Sequence, residues 1–169
     1  MKTKTINIYT IHELSEKAQE KAHSDYLNNG FEYFWLDESL DSVKAFCGMF
    51  GVKLIDWAPT TYGHSYLKTD AEQETFRGVK PSDIPTLDAA GKNWPTGYWI
   101  DDALFSAFHE YAAKHGDTKG AFDHAMDTAL DLVVAEMEFQ ESMEYFLEMA
   151  EANEWEYLED GSSAWKCAA

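Results

Sequence analysis

The chain has 169 residues, of which 45% are hydrophobic and 15% aromatic, so it can build one folded domain with a core and is not a disordered acidic tail. Its 31 acidic residues outnumber its 13 basic residues, which gives a formal net charge of −18 at pH 7. A charge of this size opposes direct binding to nucleic acid or to an anionic membrane, and it accelerates encounter with a basic partner.

The first two predicted elements are a strand and a helix. Residues Thr3 to Thr10 alternate isoleucine with polar neighbours, which is typical of a strand. A helix is predicted next, because Ser15 is a suitable N-cap and Asn29-Gly30 is a suitable stop signal. No apolar leader precedes these elements, so we expect a cytoplasmic protein.

The centre of the chain alternates between regular and irregular patterns. A second helix is predicted from Phe31 to Gly51, because its apolar residues cover one broad face. Two strands joined by a turn are predicted between Val52 and Asp70. Residues 71–96 show no sustained periodicity and are expected to be partly helical or to carry binding residues. Residues 97–116 are again predicted as a helix, with a glycine as its stop.

The last part of the chain is predicted as one long helix followed by a hairpin or terminal strand. The helix spans about Lys119 to Ala152, and the second half of its apolar stripe is rotated relative to the first. Trp155 and Tyr157 then alternate with glutamates before an Asp-Gly turn. The elements together predict an α+β fold over residues 1–169 as a single domain. It has a small, mainly antiparallel sheet and three to four helices, including the long acidic C-terminal one.

Carboxylates are concentrated on this last helix. Between Asp131 and Asp160 the chain has eleven acidic residues and no Lys or Arg. Residues three or four positions apart are neighbours on a helix surface, so these side chains are predicted to form a nearly continuous row. The row consists of Asp123, Asp127, Asp131, Glu138, Glu141, Glu144, Glu148 and Glu151. Four further carboxylates extend it, namely Glu154, Glu156, Glu159 and Asp160.

Such a row opposes the stability of the helix. Each adjacent like-charge pair costs about 0.2–0.5 kcal/mol. Glu148 and Glu151 also lie near the C-terminal end, where the helix dipole disfavours anions. One interpretation is a solvated face on a protein from a salty or acid-rich proteome. The other is a surface that imitates the phosphates of a nucleic acid and competes for a Lys/Arg groove through the same counterion release.

The sequence shows no evident catalytic apparatus, and it predicts no catalytic residue, no cofactor and no metal site. Glu20-x-x-His23 has the spacing of half a helical di-metal motif, but no second E-x-x-H occurs. Cys47 falls on the apolar stripe of its helix, and neither it nor Cys167 lies in a C-x-x-C motif, so reduced thiols are expected. A small hydrolase that uses a carboxylate-bound metal stays open as an alternative.

Aromatic residues around 94–99 give a second alternative. Trp94 and Trp99 flank a Pro-Thr-Gly segment in the irregular region. Exposed aromatic side chains at such positions act as anchors for protein partners. On this interpretation the chain is an antitoxin-like or scaffold protein that binds its partner through the aromatic segment, and the charge serves solubility.

Both ends of the chain have a distinctive residue pattern. The start has the pattern E-L-S-x-x-A-x-x-x-A at Glu13, Leu14, Ser15, Ala18 and Ala22. The end has an A-N, alternating aromatic and D-G pattern at Ala152, Asn153, Trp155, Tyr157, Asp160 and Gly161. Both patterns resemble those of small acidic phage and prophage proteins of mostly unknown function. The resemblance implies a phage origin and no active-site residues. Small acidic phage proteins as a class include DNA-mimic inhibitors of restriction and CRISPR systems.

From these observations we predict a phage-encoded, non-enzymatic inhibitor that acts in the host bacterial cytoplasm. Its acidic row is expected to mimic nucleic-acid phosphates and to block a basic DNA- or RNA-binding groove. The expected partner is a basic host protein or ribonucleoprotein complex of a defence or nucleic-acid-processing system. Neither nucleic acid nor membrane is expected to bind directly.

Overall fold

The computed structural model describes residues 5–29, 31–87 and 95–164. Within these ranges the chain forms five α-helices and one two-stranded antiparallel sheet. The helices are α1 (Glu16–Asn28), α2 (Leu36–Met49), α3 (Trp99–His115), α4 (Thr118–Gln140) and α5 (Met143–Ala152). The strands are β1 (Leu54–Ala58) and β2 (Tyr66–Thr69). Short 3₁₀ turns lie at Ile11–Glu13, Gln73–Phe76 and Pro81–Asp83. The predicted α+β class with a small antiparallel sheet is confirmed, with five helices where three to four were expected.

The contacts within the chain divide it into two compact units. The terminal unit contains the described residues up to Glu32 together with those from Glu138 onwards. The central unit extends from Tyr33 to Met137. Each unit has its own cluster of buried apolar side chains.

The terminal unit joins the two ends of the chain around a small core. Ile11 and Phe146 are buried in this core, and Tyr9 and Tyr157 exchange two backbone hydrogen bonds of 2.9 Å. Ser15 caps α1 by accepting a hydrogen bond from the Ala18 amide at 3.3 Å. All of the residues that carry the phage resemblance, at both ends of the sequence, therefore belong to this one unit.

A close approach between the C-terminal turn and α1 requires a glycine in the terminal unit. Gly161 has a φ of +83°, and a Cβ at this position would clash with the carbonyl oxygen of Ala18. Ala18 and Ala22 are both buried on the facing side of α1. Since only glycine combines the positive φ with the absent side chain, this contact depends on Gly161.

The predicted strand from Thr3 to Thr10 is wrong for the residues from position 5 onwards. There the only pairing is the single bridge from Tyr9 to Tyr157. Ile6 and Ile8 are 47% and 53% exposed, so their alternation does not face a core. The predicted terminal strand likewise reduces to isolated bridges, in which Tyr157 pairs with Tyr9 and with Ser163.

The central unit is built around aromatic side chains. Phe46 on α2 is fully buried and packs with its ring centroid 5.3 Å from that of Phe105 and 5.9 Å from that of Phe122. The hairpin of β1 and β2 pairs Trp57 with Leu67, and both side chains pack on this core. This hairpin lies within the range in which the sequence predicted it.

Two helices of the central unit differ in how closely they match the prediction. Helix α3 ends as predicted, because Gly116 takes a left-handed φ of +66° and its N–H donates to the Ala112 carbonyl at 2.8 Å. The predicted start of the second helix at Phe31 is wrong, since α2 begins at Leu36. Phe34 lies before this start and is 82% exposed, so it is not part of the buried helical face.

The single long helix predicted from Lys119 to Ala152 is also wrong. Helix α4 ends at Gln140 and α5 begins at Met143. Ser142 has an extended ψ of 154°, and its side chain accepts a hydrogen bond from the Tyr145 amide at 3.2 Å. Ser142 is therefore the N-cap of a new helix, which interrupts the regular helix at this point.

Candidate functional site

The first half of the acidic row lies on α4 in the central unit. Asp123, Asp127 and Asp131 are spaced four residues apart and are all exposed. Four residues correspond to about 6 Å along a helix axis, so the three carboxylates follow one another on the same side of α4. The predicted alignment of these three residues is therefore present in the structure.

One of these three carboxylates is neutralised within the helix. The Lys119 ammonium contacts both carboxylate oxygens of Asp123 at 2.6 Å, and only 19% of the Lys119 side chain is exposed. Asp127 and Asp131 form no ion pair with any described residue. The uncompensated charge of this row is therefore centred on Asp127 and Asp131.

The electrostatic strain of the row is concentrated on its middle member. Partial loss of solvent raises the pKa of Asp127, and the charges of Asp123 and Asp131 raise it further, while His124 acts in the opposite direction. A carboxyl group whose pKa is raised in the folded state destabilises the fold when it ionises. The charge on Asp127 is consequently maintained at neutral pH against the preference of the fold.

The second half of the acidic row is divided between two helices. Glu138 is exposed near the end of α4, and Glu141 is half-buried in the turn before α5. Glu144, Glu148 and Glu151 are exposed on α5 at spacings of four and three residues. The continuous row along one helix is thus replaced by an α4 row and an α5 row. Neither Glu144 nor Glu148 forms an ion pair with a described residue.

The last carboxylates of the predicted set lie in the terminal unit, where two of the twelve predicted residues meet basic groups. Glu151 lies 3.2 Å from the His12 imidazole, and Asp160 lies 3.6 Å from the Lys21 ammonium. Hydrogen bonds from the Ser162 side chain and amide lower the pKa of Asp160.

A cleft of about 350 Å³ in the terminal unit collects further carboxylates. Glu151, Glu154 and Glu156 lie at this cleft together with His12. Glu154 has an unusual φ of +52°, which turns the chain after α5. Glu159 is exposed on the following turn. The structure thus groups three predicted carboxylates beside a histidine that the sequence pattern did not connect with them.

The aromatic segment of the alternative interpretation is partly described. Trp94 lies outside the described residues. Trp99 begins α3, is 41% exposed, and has its ring centroid 6.1 Å from that of Trp35. Together with the exposed Phe34, these two tryptophans place three aromatic residues near the surface of the central unit.

A fully buried carboxylate holds the loop before Trp99. Asp101 lies in the first turn of α3, where an acidic side chain complements the helix dipole. Its Oδ2 accepts hydrogen bonds from the Thr96 amide at 3.0 Å, the Thr96 hydroxyl at 3.1 Å and the Gly97 amide at 2.9 Å. The loop that leads into Trp99 is therefore held by a buried carboxyl group.

A pocket that the sequence pattern did not reveal lies in the terminal unit, and we call it the aromatic pocket. Its volume is about 220 Å³. Tyr26, Phe146 and Trp155 provide its aromatic surface. Its other described lining residues are Ala22, Asp25, Asn29, Tyr157, Gly161, Ser162 and Ser163. The alternating aromatic residues near the C-terminus were the one feature of the sequence that could have indicated this pocket. Their partner Tyr26 lies on α1, far away in the sequence.

The residues considered for catalysis have structural contacts. A ring nitrogen of His23 lies 2.8 Å from the backbone oxygen of Glu141, and its ring packs on Phe146. Burial raises the pKa of the Cys47 thiol to about 12, so a reactive thiolate does not form there at neutral pH. In the part of the chain that the structure describes, no three His, Cys, Asp or Glu side chains are grouped as metal ligands.

Comparisons with protein-family models, with curated proteins and with solved structures found no match for this chain. Among the described helices, none is both long enough and apolar enough to cross a membrane.

Proposed function

We propose that this protein is a phage-encoded, non-enzymatic inhibitor whose carboxylates take the place of nucleic-acid phosphates in a basic groove of a host complex. The observation that carries the proposal is the pair Asp127 and Asp131. Both are exposed, neither has a cationic partner among the described residues, and the pKa of Asp127 is raised. A surface selected for stability alone would place a cation beside them.

The spacing of the charges limits how much nucleic acid the surface can imitate. The α4 row has one carboxylate per about 6 Å of axis. One strand of duplex DNA has one phosphate per about 3.4 Å of axis. The α4 row therefore reaches about half the linear charge density of one strand, and it suits a short segment of a groove. Five exposed carboxylates on α4 and α5 have no ion pair among the described residues, and each is a proposed contact: Asp127 and Asp131 in the central unit, and Glu138, Glu144 and Glu148 in the terminal unit.

The test is the capture of a nucleic-acid-binding protein from a bacterial host lysate on the immobilised chain, over a series of salt concentrations. We expect the captured protein to release bound duplex DNA or RNA when this chain is added. Because the contacts are ionic, capture should weaken steeply as salt rises. Neutralising the five contact carboxylates to Asn or Gln should abolish both capture and displacement.

A charge-matched control separates a specific surface from net charge. The control variant neutralises five exposed acids elsewhere, namely Glu20, Glu32, Asp37, Asp41 and Glu110. It should retain capture and displacement. If both variants lose capture equally, net charge alone is responsible and the proposed surface is wrong.

The exposed aromatic residues of the central unit support a second candidate function. Phe34 is 82% exposed and Trp99 is 41% exposed, and such side chains dominate binding energy when a partner buries them. On this alternative the chain is an antitoxin-like or scaffold protein. Loss of capture in Phe34→Ser and Trp99→Ser, with capture retained after neutralisation of the five carboxylates, would favour it.

A further inference from the structure

We propose that the aromatic pocket of the terminal unit binds an arginine side chain of a basic protein partner. The inference rests on the proposed function for one assumption, which is that the partner is basic. It adds the residue type of the partner that this pocket contacts. It requires three properties of the pocket: aromatic surfaces that attract a cation, negative charge at the rim, and a volume suited to one side chain.

The aromatic surfaces are arranged as the walls of a concavity. The ring centroid of Tyr26 lies 5.3 Å from that of Phe146 and 5.7 Å from that of Trp155, and the ring planes are tilted by 43° and 44°. Phe146 is buried, and Tyr26 and Trp155 are only half-buried, so these two rings supply the accessible aromatic surface. The face of an aromatic ring is its negative region, and Trp and Tyr attract cations most strongly.

The charge at the pocket favours a cationic occupant. Asp25 is the charged side chain among the described lining residues. Asp160 precedes the lining residue Gly161, and its pKa is lowered, so it is ionised at neutral pH. A neutral apolar side chain would desolvate these carboxylates without compensation, whereas a guanidinium group would pair with them.

Lys21 at present supplies the positive charge beside the pocket. Its ammonium lies 3.6 Å from both Asp25 and Asp160, and all three side chains are well exposed. Exposed ion pairs of this length contribute about 0–1 kcal/mol. Lys21 is therefore a weak competitor that an incoming cation can displace, and its removal should strengthen binding of that cation.

The volume of the pocket and the acceptor atoms at its rim favour one planar group that has several N–H donors. A volume of about 220 Å³ is below the range of roughly 300–1,000 Å³ that is usual for drug-sized ligands, and it suits one side chain. Asp25, Asn29 and Ser163 place acceptor oxygens among the lining residues. Arginine presents five N–H donors on a plane that stacks on aromatic rings, whereas lysine offers a compact ammonium.

The experiment is an NMR titration of the full chain with the tripeptide acetyl-Gly-Arg-Gly-amide. We expect saturable binding in the millimolar range, with the largest shifts at Tyr26, Ser163 and the Trp155 indole. The tripeptide with citrulline, which is isosteric and uncharged, should bind at least about fivefold more weakly because it lacks the cation. The tripeptide with Trp tests whether an apolar side chain is the better occupant.

Four variants separate the pocket from the general acidity of the chain. Asp25→Asn should weaken binding about threefold, and Lys21→Gln should strengthen it about twofold. Glu20→Gln is the matched control on the same helix and should leave binding unchanged, because Glu20 does not line the pocket. Tyr26→Leu removes one aromatic face and should weaken binding about threefold, and the dispersion of its amide NMR signals checks that this variant is folded.

The inference is overturned if citrulline binds as tightly as arginine, or if the Trp tripeptide binds more tightly. It is also overturned if Asp25→Asn and Glu20→Gln have equal effects, or if the shifts follow α4 and not the pocket. If the tripeptide does not bind but the chain still captures its partner in a salt-dependent manner, the proposal for the pocket is contradicted and the proposed function is not. If the tripeptide binds but the chain does not displace nucleic acid from the partner, the proposed function is contradicted and the proposal for the pocket is not.

Discussion

The acidic face of α4 and the acidic end of the terminal unit are both rich in carboxylates, but they differ in the source of their cations. On α4, the one cation is Lys119, which lies one turn from Asp123 and contacts both of its oxygens at 2.6 Å. Asp127 and Asp131 follow on the same side of the helix without an ion pair among the described residues. The basic residue of this face therefore comes from the same helix, and it leaves the charges of Asp127 and Asp131 uncompensated among the described residues.

In the terminal unit the basic side chains beside the carboxylates come from the opposite end of the chain. His12 approaches Glu151, and Lys21 approaches Asp160, although no basic residue occurs between positions 131 and 160. A count of charges along the sequence therefore gives the density of carboxylates but not their pairing. We infer that α4 is the stronger candidate for an ionic contact with a partner, because Asp127 and Asp131 are neighbours without an ion pair among the described residues and the pKa of Asp127 is raised.

The largest effect should come from separating the two ends of the terminal unit. Gly161→Ala places a Cβ against the Ala18 carbonyl at a φ of +83°, and we expect a loss of about 3 kcal/mol in the free energy of unfolding. Gly51→Ala is the control, since its φ is +69° but no atom lies within 4 Å of the added Cβ. Denaturant titration should show a loss of about 1–2 kcal/mol for the control. Equal losses in both variants would contradict the close approach.

A smaller loss is expected from the buried carboxylate of the central unit. Asp101→Ala leaves the Thr96 amide and hydroxyl and the Gly97 amide without their acceptor, and we expect a loss of about 2 kcal/mol. Asp101→Asn keeps one acceptor oxygen and should lose less. Hydrogen exchange of the Thr96 and Gly97 amides measures the effect directly. Unchanged exchange in Asp101→Ala would show that the carboxylate does not hold this loop.

The pairing on α4 can be removed to make the contrast between the two regions sharper. Lys119→Met leaves Asp123 unpaired, so a third uncompensated charge adds to the row. We expect the pKa of Asp127 to rise further and stability to fall by about 0.5 kcal/mol. Lys44→Met, which removes an exposed partner of Asp41, is the control. A carboxyl NMR titration in which Asp127 responds equally to both changes would contradict the local origin of its shift.

The helices with strong periodicity and clear ends could be predicted from the sequence, and the elements that depend on pairing could not. Helix α3 ended at Gly116 as expected, because a glycine stop acts locally. The break at Ser142 was missed, although the rotation of the apolar stripe beyond Met137 was its signal. Ile6 and Ile8 alternate as in a strand but have no partner strand among the described residues.

The candidate sites show the same division. The spacing of the α4 carboxylates follows from helix geometry and could be predicted. The aromatic pocket could not, because Tyr26 and Trp155 meet only when the two ends of the chain come together. The side chains of Lys21 and His12 that face these carboxylates are likewise positioned by the fold and not by their sequence neighbours.

A modest gain in stability is expected from Asp127→Asn with Asp131→Asn, and it bears on the central claim that α4 maintains its anions for a partner. Because the pKa of Asp127 is raised in the folded state, its ionisation costs the fold stability at neutral pH. The double variant should therefore be more stable than the unmodified chain by about 0.4–1 kcal/mol at pH 7. The gain should disappear as the pH falls and Asp127 takes up a proton in both states.

Measuring the free energy of unfolding and the capture of the partner on this same double variant is the most direct test. We predict a gain in stability together with a loss of capture and of nucleic-acid displacement, since side chains that oppose the fold are kept for binding. A double variant that is more stable and still captures its partner at full strength would show that the α4 carboxylates are only a solvated face.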